Sequence, residues 1–249
     1  MSLLPADPAS LTDKELVADG GADTVCQPAH GFHAFDALYC ALTDAPPIPP
    51  AYPNDKYPLF VTWNIRRTGR APRLRGCIGT FESYPLHEGI PEYALISAFR
   101  DHRFRKIERS ELASLECGIS LLTDFEDADT YLDWTLGVHG IRINFPHPSL
   151  LPAAADSPSG SPSPYSSSAS IPRVTSRQRF SAVYLPDVMP EQGWDKIESV
   201  DSAIRKAGWT GRISEDLRRS VHLVRFQSRK CTVGWDEYVD WREASGAEM

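Results

Sequence analysis

Two neighbouring stretches constrain this chain more than anything else in it. From Leu59 to Ile65, the residues Leu59, Val61, Trp63 and Ile65 alternate with polar Thr62 and Asn64. Alternation with period two marks a strand that has one face in a core and the other towards water. After RRTGRAPR comes LRGCIGTF, Leu74 to Phe81, a second strand-like run. The spacing predicts an antiparallel hairpin that turns through RRTGRAPR. A half-buried hairpin is marginal alone, so the rest of the chain has to cover its apolar side.

The remaining segments supply that cover. Phe32, Phe35, Tyr39 and Leu42 recur at helical spacing before PPIPP (Pro46 to Pro50) ends any helix. Leu86 to Phe99 reads as a helix with Leu86, Ile90, Tyr93, Ala94 and Ala98 inward, although Pro91 is tolerable only near a first turn. Strands are expected at Cys117 to Thr123, Ile141 to Phe145, Phe180 to Leu185 and His222 to Phe226, with a short helix at Ala128 to Trp134. Ile197, Val200, Ile204 and Ala207 mark a helix face, and Gly208 is a C-cap. WDEYVDWR should pack through Tyr238 and Trp241. Connections before several strands are too short for right-handed crossovers. The expected class is therefore α+β, with largely antiparallel sheets and flanking helices.

Residues 146–179 break the pattern, with 7 Pro and 10 Ser among 34 residues. Such a composition cannot bury enough apolar surface to offset its ordering entropy, so disorder is expected. Strand signal resumes directly after it, which makes it an insertion rather than a boundary. The domain map is a weakly ordered lead-in at 1–28, a single domain at 29–242 interrupted by 146–179, and a tail at 243–249. Thr12 to Glu15 has the form of a capping box within the lead-in.

No apolar run approaches the ~20 residues needed to cross a bilayer, and MSLLPADPAS lacks the basic start of a signal peptide. Five irregularly spaced cysteines argue for reduced thiols in an intracellular setting, cytoplasmic or nuclear. A net charge of −7 argues against a duplex-DNA partner, and nothing suggests a membrane partner.

Chemistry-bearing residues concentrate in Arg66 to Phe81. On a regular strand Arg75 and Cys77 share a face, and a guanidinium beside a thiol favours the reactive thiolate. Gly76 and Gly79 clear space for a ligand or another backbone. The plainer reading is a packed strand cysteine with glycines at a bulge. Arg66, Arg67, Arg70, Arg73 and Arg75 suit phosphate or carboxylate oxygens, or else pair with the chain's own acids. Asp101 and Arg103, in DHRFR, offer an anion clamp or an ordinary helix-end charge. His139, between glycines in GVHG, is a general base if it approaches Cys77 and otherwise a turn residue. Cys26, His30, His33 and Cys40 have ligand chemistry, but C-x3-H-x2-H-x6-C is not a zinc pattern, so no metal and no cofactor are expected.

LRGCIG is specific enough to carry a resemblance, and four more segments support it in order: YALISAFRDHRF, SLLTDFEDADTYLDWTLGVHGIRINF, YLPDVMPEQGWDKIESVDSAIRKAGW and VRFQSRKCTVGWDEY. Together they resemble the AMMECR domain family from about Gly31 to Arg242, the insertion excepted. The resemblance implies two unequal interleaved lobes, with LRGCIG in the larger one and IRINF beside AVYLP. It carries no established reaction. Prokaryotic relatives, similar to the A protein of the AmmeMemoRadiSam system, look like partners of Memo-type proteins and of radical S-adenosylmethionine enzymes, a hint of redox or modification chemistry by association alone. Eukaryotic relatives are regarded as nuclear or cytosolic. Two functions are expected to compete. One is a binding module that uses the LRGCIG strand and nearby arginines for a protein, an RNA or a small anionic ligand. The other is an enzyme with Cys77 as nucleophile or redox thiol, assisted by Arg75 and His139, with Asp101 and Arg103 orienting an anionic or nucleotide-like substrate.

Overall fold

The computed structural model describes residues 25–147 and 179–248. The capping-box signal at Thr12 to Glu15 and most of the Ser/Pro-rich stretch lie outside them. The described chain runs α1 (Pro28–Thr43), β1 (Lys56–Arg67), β2 (Arg70–Pro85), α2 (Leu86–Phe99), a 3-10 turn (Arg109–Ser114), β3 (Leu115–Asp127), β4 (Gly140–Pro146), β5 (Arg179–Tyr184), α3 (Val188–Glu191), α4 (Lys196–Lys206), α5 (Glu215–Arg219), β6 (His222–Gly234) and α6 (Trp235–Ala244). The strands form a six-stranded antiparallel sheet in the order β2-β1-β3-β6-β4-β5. This is the expected α+β class.

Several local expectations need correction. Arg67 pairs with Arg70, so the hairpin turns at Thr68 and Gly69 alone, and most of RRTGRAPR is strand. Gly69 has φ 71°, a left-handed conformation that a glycine adopts without a Cβ clash. Ala128 to Trp134 makes turns instead of a helix. There the Asp133 carboxylate accepts from the Asp129 N–H and the Thr130 hydroxyl accepts from the Leu132 N–H, local bonds that compete with a helix. Pro91 sits in the second turn of α2, which continues through it. The expected strand at 222–226 extends to Gly234, well past the apolar run that signals it.

Residues paired across an antiparallel ladder point to the same side. Leu59, Val61 and Trp63 therefore share a face with Leu115, Cys117, Ile119, Leu121 and Val233. All of these are buried, and they pack with Phe35, Leu38, Ile90, Ala94 and Tyr238 from α1, α2 and α6. The Trp63 indole donates to the Ala94 carbonyl at 3.0 Å. At the other end of the same face, Ile141, Ile143, Phe145 and Leu223 pack on Val200, Ala203 and Ile204 of α4. Two unequal lobes thus share one sheet and one covered face. Phe145 pairs with Phe180 and Pro146 with Arg179, so the strands that flank the Ser/Pro-rich stretch are neighbours.

The larger lobe contains a fully buried ion pair, Asp36 with Arg242. Asp36 also accepts from the Tyr238 hydroxyl at 3.0 Å and the Ile48 N–H at 2.8 Å. Arg242 donates to the Pro46 carbonyl at 3.2 Å. This network ties α1 to α6 and fixes the proline-rich segment between α1 and β1. Its partners are mutually dependent, because a buried charge left alone is costly.

Candidate functional site

The opposite face of the sheet has a different character. The register lines up Cys77, Thr62, Gly118 and Thr232 in one row across β2, β1, β3 and β6. The next row is Gly79, Phe60, Ser120 and Lys230. A thiol, three hydroxyls and an ammonium therefore share a surface, with an aromatic ring among them. Further along, the Phe81 and Phe226 rings lie 6.2 Å apart, although β2 and β6 are three strands apart in the sheet. A flat sheet would separate those strands by roughly 14 Å. The sheet therefore curls towards this face, and Phe60, Phe81, Phe125 and Phe226 close one end of the hollow.

Cys77 is half-buried on β2, an edge strand of the sheet. Its backbone N–H and C=O are both met by side chains from the segment after α2. The N–H donates to Asp101 Oδ2 at 2.9 Å, and Arg103 donates to the Cys77 carbonyl at 3.1 Å. Asp101 and Arg103 bond each other at 2.6 Å and 2.9 Å. They stand where a further strand would otherwise pair, and so block the edge at the thiol. Arg103 holds the Asp101 carboxyl well below the usual carboxylate range, against a smaller opposing effect of burial. At the sulfur, Thr62 donates its hydroxyl at 3.2 Å. Lys230 stands near enough for the Cys77 sulfur to favour its charged form, although burial pulls the lysine down more strongly. Lys230 also pairs with Asp187, on the segment between β5 and α3.

The expected pairing of Arg75 with Cys77 does not form. Trp63 pairs with Gly76 and Asn64 with Leu74, which leaves Arg75 as the extra residue of a β-bulge. The bulge breaks the alternation and sends Arg75 to the 3-10 turn. There it bonds Glu111 at 2.8 Å and 3.0 Å, the Arg105 carbonyl at 2.6 Å and the Lys106 carbonyl at 3.0 Å. Only 9% of its side chain is exposed. The charge beside the thiol belongs to Arg103 and Lys230 instead. Nor do the two glycines leave space for a ligand. A Cβ at Gly76 would lie 2.3 Å from the Ser97 carbonyl oxygen, and one at Gly79 would lie 2.4 Å from the Phe60 ring. Gly76 admits the backbone of α2, and Gly79 admits the Leu59 carbonyl, 2.2 Å from such a Cβ, together with the Phe60 ring. Gly118 is the roomier position, since a Cβ there would be 3.8 Å from Thr62.

His139 lies in the turn just before β4, where its Nδ1 accepts from the Thr135 N–H at 2.9 Å. Burial lowers its pKa, with Arg225 adding to the effect, and its other charged neighbours are Glu126, Asp133 and Lys196. It is a turn-bonded histidine of the second lobe. Among the hairpin arginines, Arg66 pairs with Glu116 at 3.5 Å, and Arg67, Arg70 and Arg73 are exposed. A cleft of about 670 Å³ opens beside Arg66, Arg67 and Arg70, against Gly234 and Trp235. Thr62 had one visible signal, its place on the polar side of β1. Ser120, Lys230 and Thr232 had none, because the tertiary register alone sets them beside Cys77. Among the described residues, soft metal-type donors gather elsewhere, where Cys26, His30 and Cys231 meet on the covered face.

The model of the AMMECR1 family matches residues 32–164 and 171–231. An uncharacterized protein of Arabidopsis thaliana is 42% identical over 213 residues, which cover 86% of this chain and 87% of the relative. An uncharacterized protein of Schizosaccharomyces pombe is 36% identical over 191 residues, 76% of this chain and 81% of the relative. In the crystal structure of an uncharacterized protein from Pyrococcus horikoshii the same fold recurs, with a TM-score of 0.55 at 22% identity over 82% of this chain and 89% of that one. The fold is thus shared with that solved structure, and the chain belongs to the AMMECR1 family.

Proposed function

We propose that this protein binds a small anionic ligand in the hollow of the sheet face opposite the helices, against Cys77. The observation that carries this reading is the double hold on Cys77: Asp101 and Arg103 fix its backbone from the strand edge while Thr62 bonds its sulfur. A cysteine that only fills space does not require such positioning. Lys230 and Arg103 supply positive charge at the mouth, and Thr62, Ser120 and Thr232 supply donors on the floor. Asp187, half exposed, is the group that a ligand anion displaces from Lys230. The arginine expected to serve the site, Arg75, supports it only by anchoring the strand.

Alkylating agents that differ only in charge test this. Iodoacetate carries a carboxylate and iodoacetamide does not. The ratio of their rates at Cys77, read by mass spectrometry in native buffer, should exceed the ratio for free glutathione. Added salt, Lys230→Gln and Arg103→Gln should each reduce the excess. A ratio equal to that of glutathione, or a Cys77 that reacts only after unfolding, overturns the reading.

A second reading makes Cys77 a nucleophile. The Thr62 hydroxyl at 3.2 Å favours it, because such a bond helps hold negative charge on sulfur. Among the described residues, no imidazole or carboxylate bonds that sulfur, so no general base is in place and binding takes precedence.

A further inference from the structure

Three metal-type donors converge on the opposite side of the sheet from Cys77. The ligand atoms of Cys26, His30 and Cys231 all lie within 4.8 Å of one another. They come from three places: the chain just before α1, the first turn of α1, and β6 on its helix-covered face. Cys26 and Cys231 are 205 positions apart in sequence, so the cluster is a product of the fold and is invisible as a motif. Cys26 and His30 are each 3% exposed, and Cys231 is half-buried. Among the described residues no carboxylate belongs to the group. Two thiols with an imidazole select a thiophilic cation over magnesium or calcium.

From this convergence we infer that Cys26, His30 and Cys231 form a zinc site that clips the start of α1 to β6. Binding replaces two thiol protons with one Zn²⁺, releases both protons to solvent and leaves a site with no net charge, which suits its burial. Two thiol hydrogen bonds among the described residues lie at the site. The Cys26 thiol donates to the Ile119 carbonyl at 3.6 Å, and the Cys231 thiol donates to the Gln27 carbonyl at 3.0 Å. His30 Nδ1 accepts from the Gln27 N–H at 3.1 Å, a bond that orients the imidazole at the helix start. Three protein donors leave a fourth tetrahedral position for water or the Gln27 carbonyl oxygen. The sequence spacing that argued against zinc grouped Cys26 and His30 with His33 and Cys40. Those two are committed elsewhere, His33 to the Tyr52 hydroxyl at 2.5 Å and Cys40 to Asp36 at 3.8 Å.

Zinc alone is the probe. The full chain, purified under reducing conditions and titrated with Zn²⁺ against a chromophoric chelator, should bind about one equivalent. Cys26→Ser, His30→Ala and Cys231→Ser should each weaken binding at least about a hundredfold, above the ~10–100-fold cost of altering a mere supporting partner. Cys77→Ser should leave it unchanged, which separates this site from the sheet hollow. Zinc should also raise the melting temperature of the wild-type chain and of Cys77→Ser. If the ligand variants fail to fold, Co²⁺ added to the wild-type chain gives the answer: thiolate-to-metal absorption in the near ultraviolet with tetrahedral visible bands supports the site. Absence of those bands, markedly substoichiometric zinc uptake by the wild-type chain, or undiminished binding by folded Cys26→Ser and Cys231→Ser overturns it.

Discussion

The two faces of the curled sheet obey different rules. On the covered face Leu59, Val61 and Trp63 of β1 and Leu115, Cys117, Ile119 and Leu121 of β3 are apolar and buried, and helices from distant parts of the chain meet them. On the other face β1 and β3 present Thr62 and Ser120 beside Cys77 of β2 and Lys230 of β6, with Gly118 left open between two threonines. Side chains on the first face are held by close packing, which punishes any change of volume. On the second they are held by hydrogen bonds and ion pairs, which tolerate substitution structurally but not chemically. Stability and ligand recognition should therefore separate cleanly between the faces.

The largest effect should come from the charge pair buried beneath the covered face. Arg242→Ala leaves Asp36 buried without its partner and should lower unfolding free energy by about 3–5 kcal/mol, measured by urea titration. Alkylation of Cys77 in the folded fraction should not change. A stability loss below about 1 kcal/mol would mean that water reaches the pair and that the covered face is less sealed than described.

Arg75→Ala comes next. It removes a nearly buried guanidinium from Glu111 and two carbonyls, and should cost about 2–3 kcal/mol. Because Arg75 points away from the thiol, the iodoacetate preference of Cys77 should survive. If instead stability held and the preference vanished, Arg75 would belong to the site after all.

Two glycine substitutions set the faces directly against each other. Gly76→Ala drives a Cβ into the Ser97 carbonyl and should cost about 1–3 kcal/mol. Gly118→Ala fits its surroundings and should stay within about 0.5 kcal/mol of wild type, yet slow iodoacetate at Cys77 by narrowing the hollow. Equal stability losses at both positions would erase the distinction.

The last effect is one of pH. The folded Asp101 carboxyl lies below its unfolded value of about 3.9, chiefly through Arg103. Its stabilising contribution is thus complete above that value and is lost as pH falls through it towards the folded one. Asp101→Asn should flatten this part of the acid-unfolding curve and remove the same contribution from stability at neutral pH. An unchanged acid limb would show that the Asp101–Arg103 clasp is not maintained in solution.

The sequence by itself determined the covered face and the family. Alternation at Leu59 to Ile65 and helical spacing at Leu86 to Phe99 are local consequences of side-chain geometry, and each element formed where it was expected. The adjacency of β4 and β5, implied by the resemblance, also holds. What the sequence could not supply was anything that depends on register or on a break in it. Period two puts Arg75 beside Cys77, and a single bulge residue sends it elsewhere. Lys230 and Thr62 are 168 positions apart in sequence, and Cys231 is 201 from His30, so neither proximity has a local signal. Only the tertiary structure decided these, because the order of strands is fixed by burying the apolar face as a whole, and the groups on the polar face meet as a consequence of that burial.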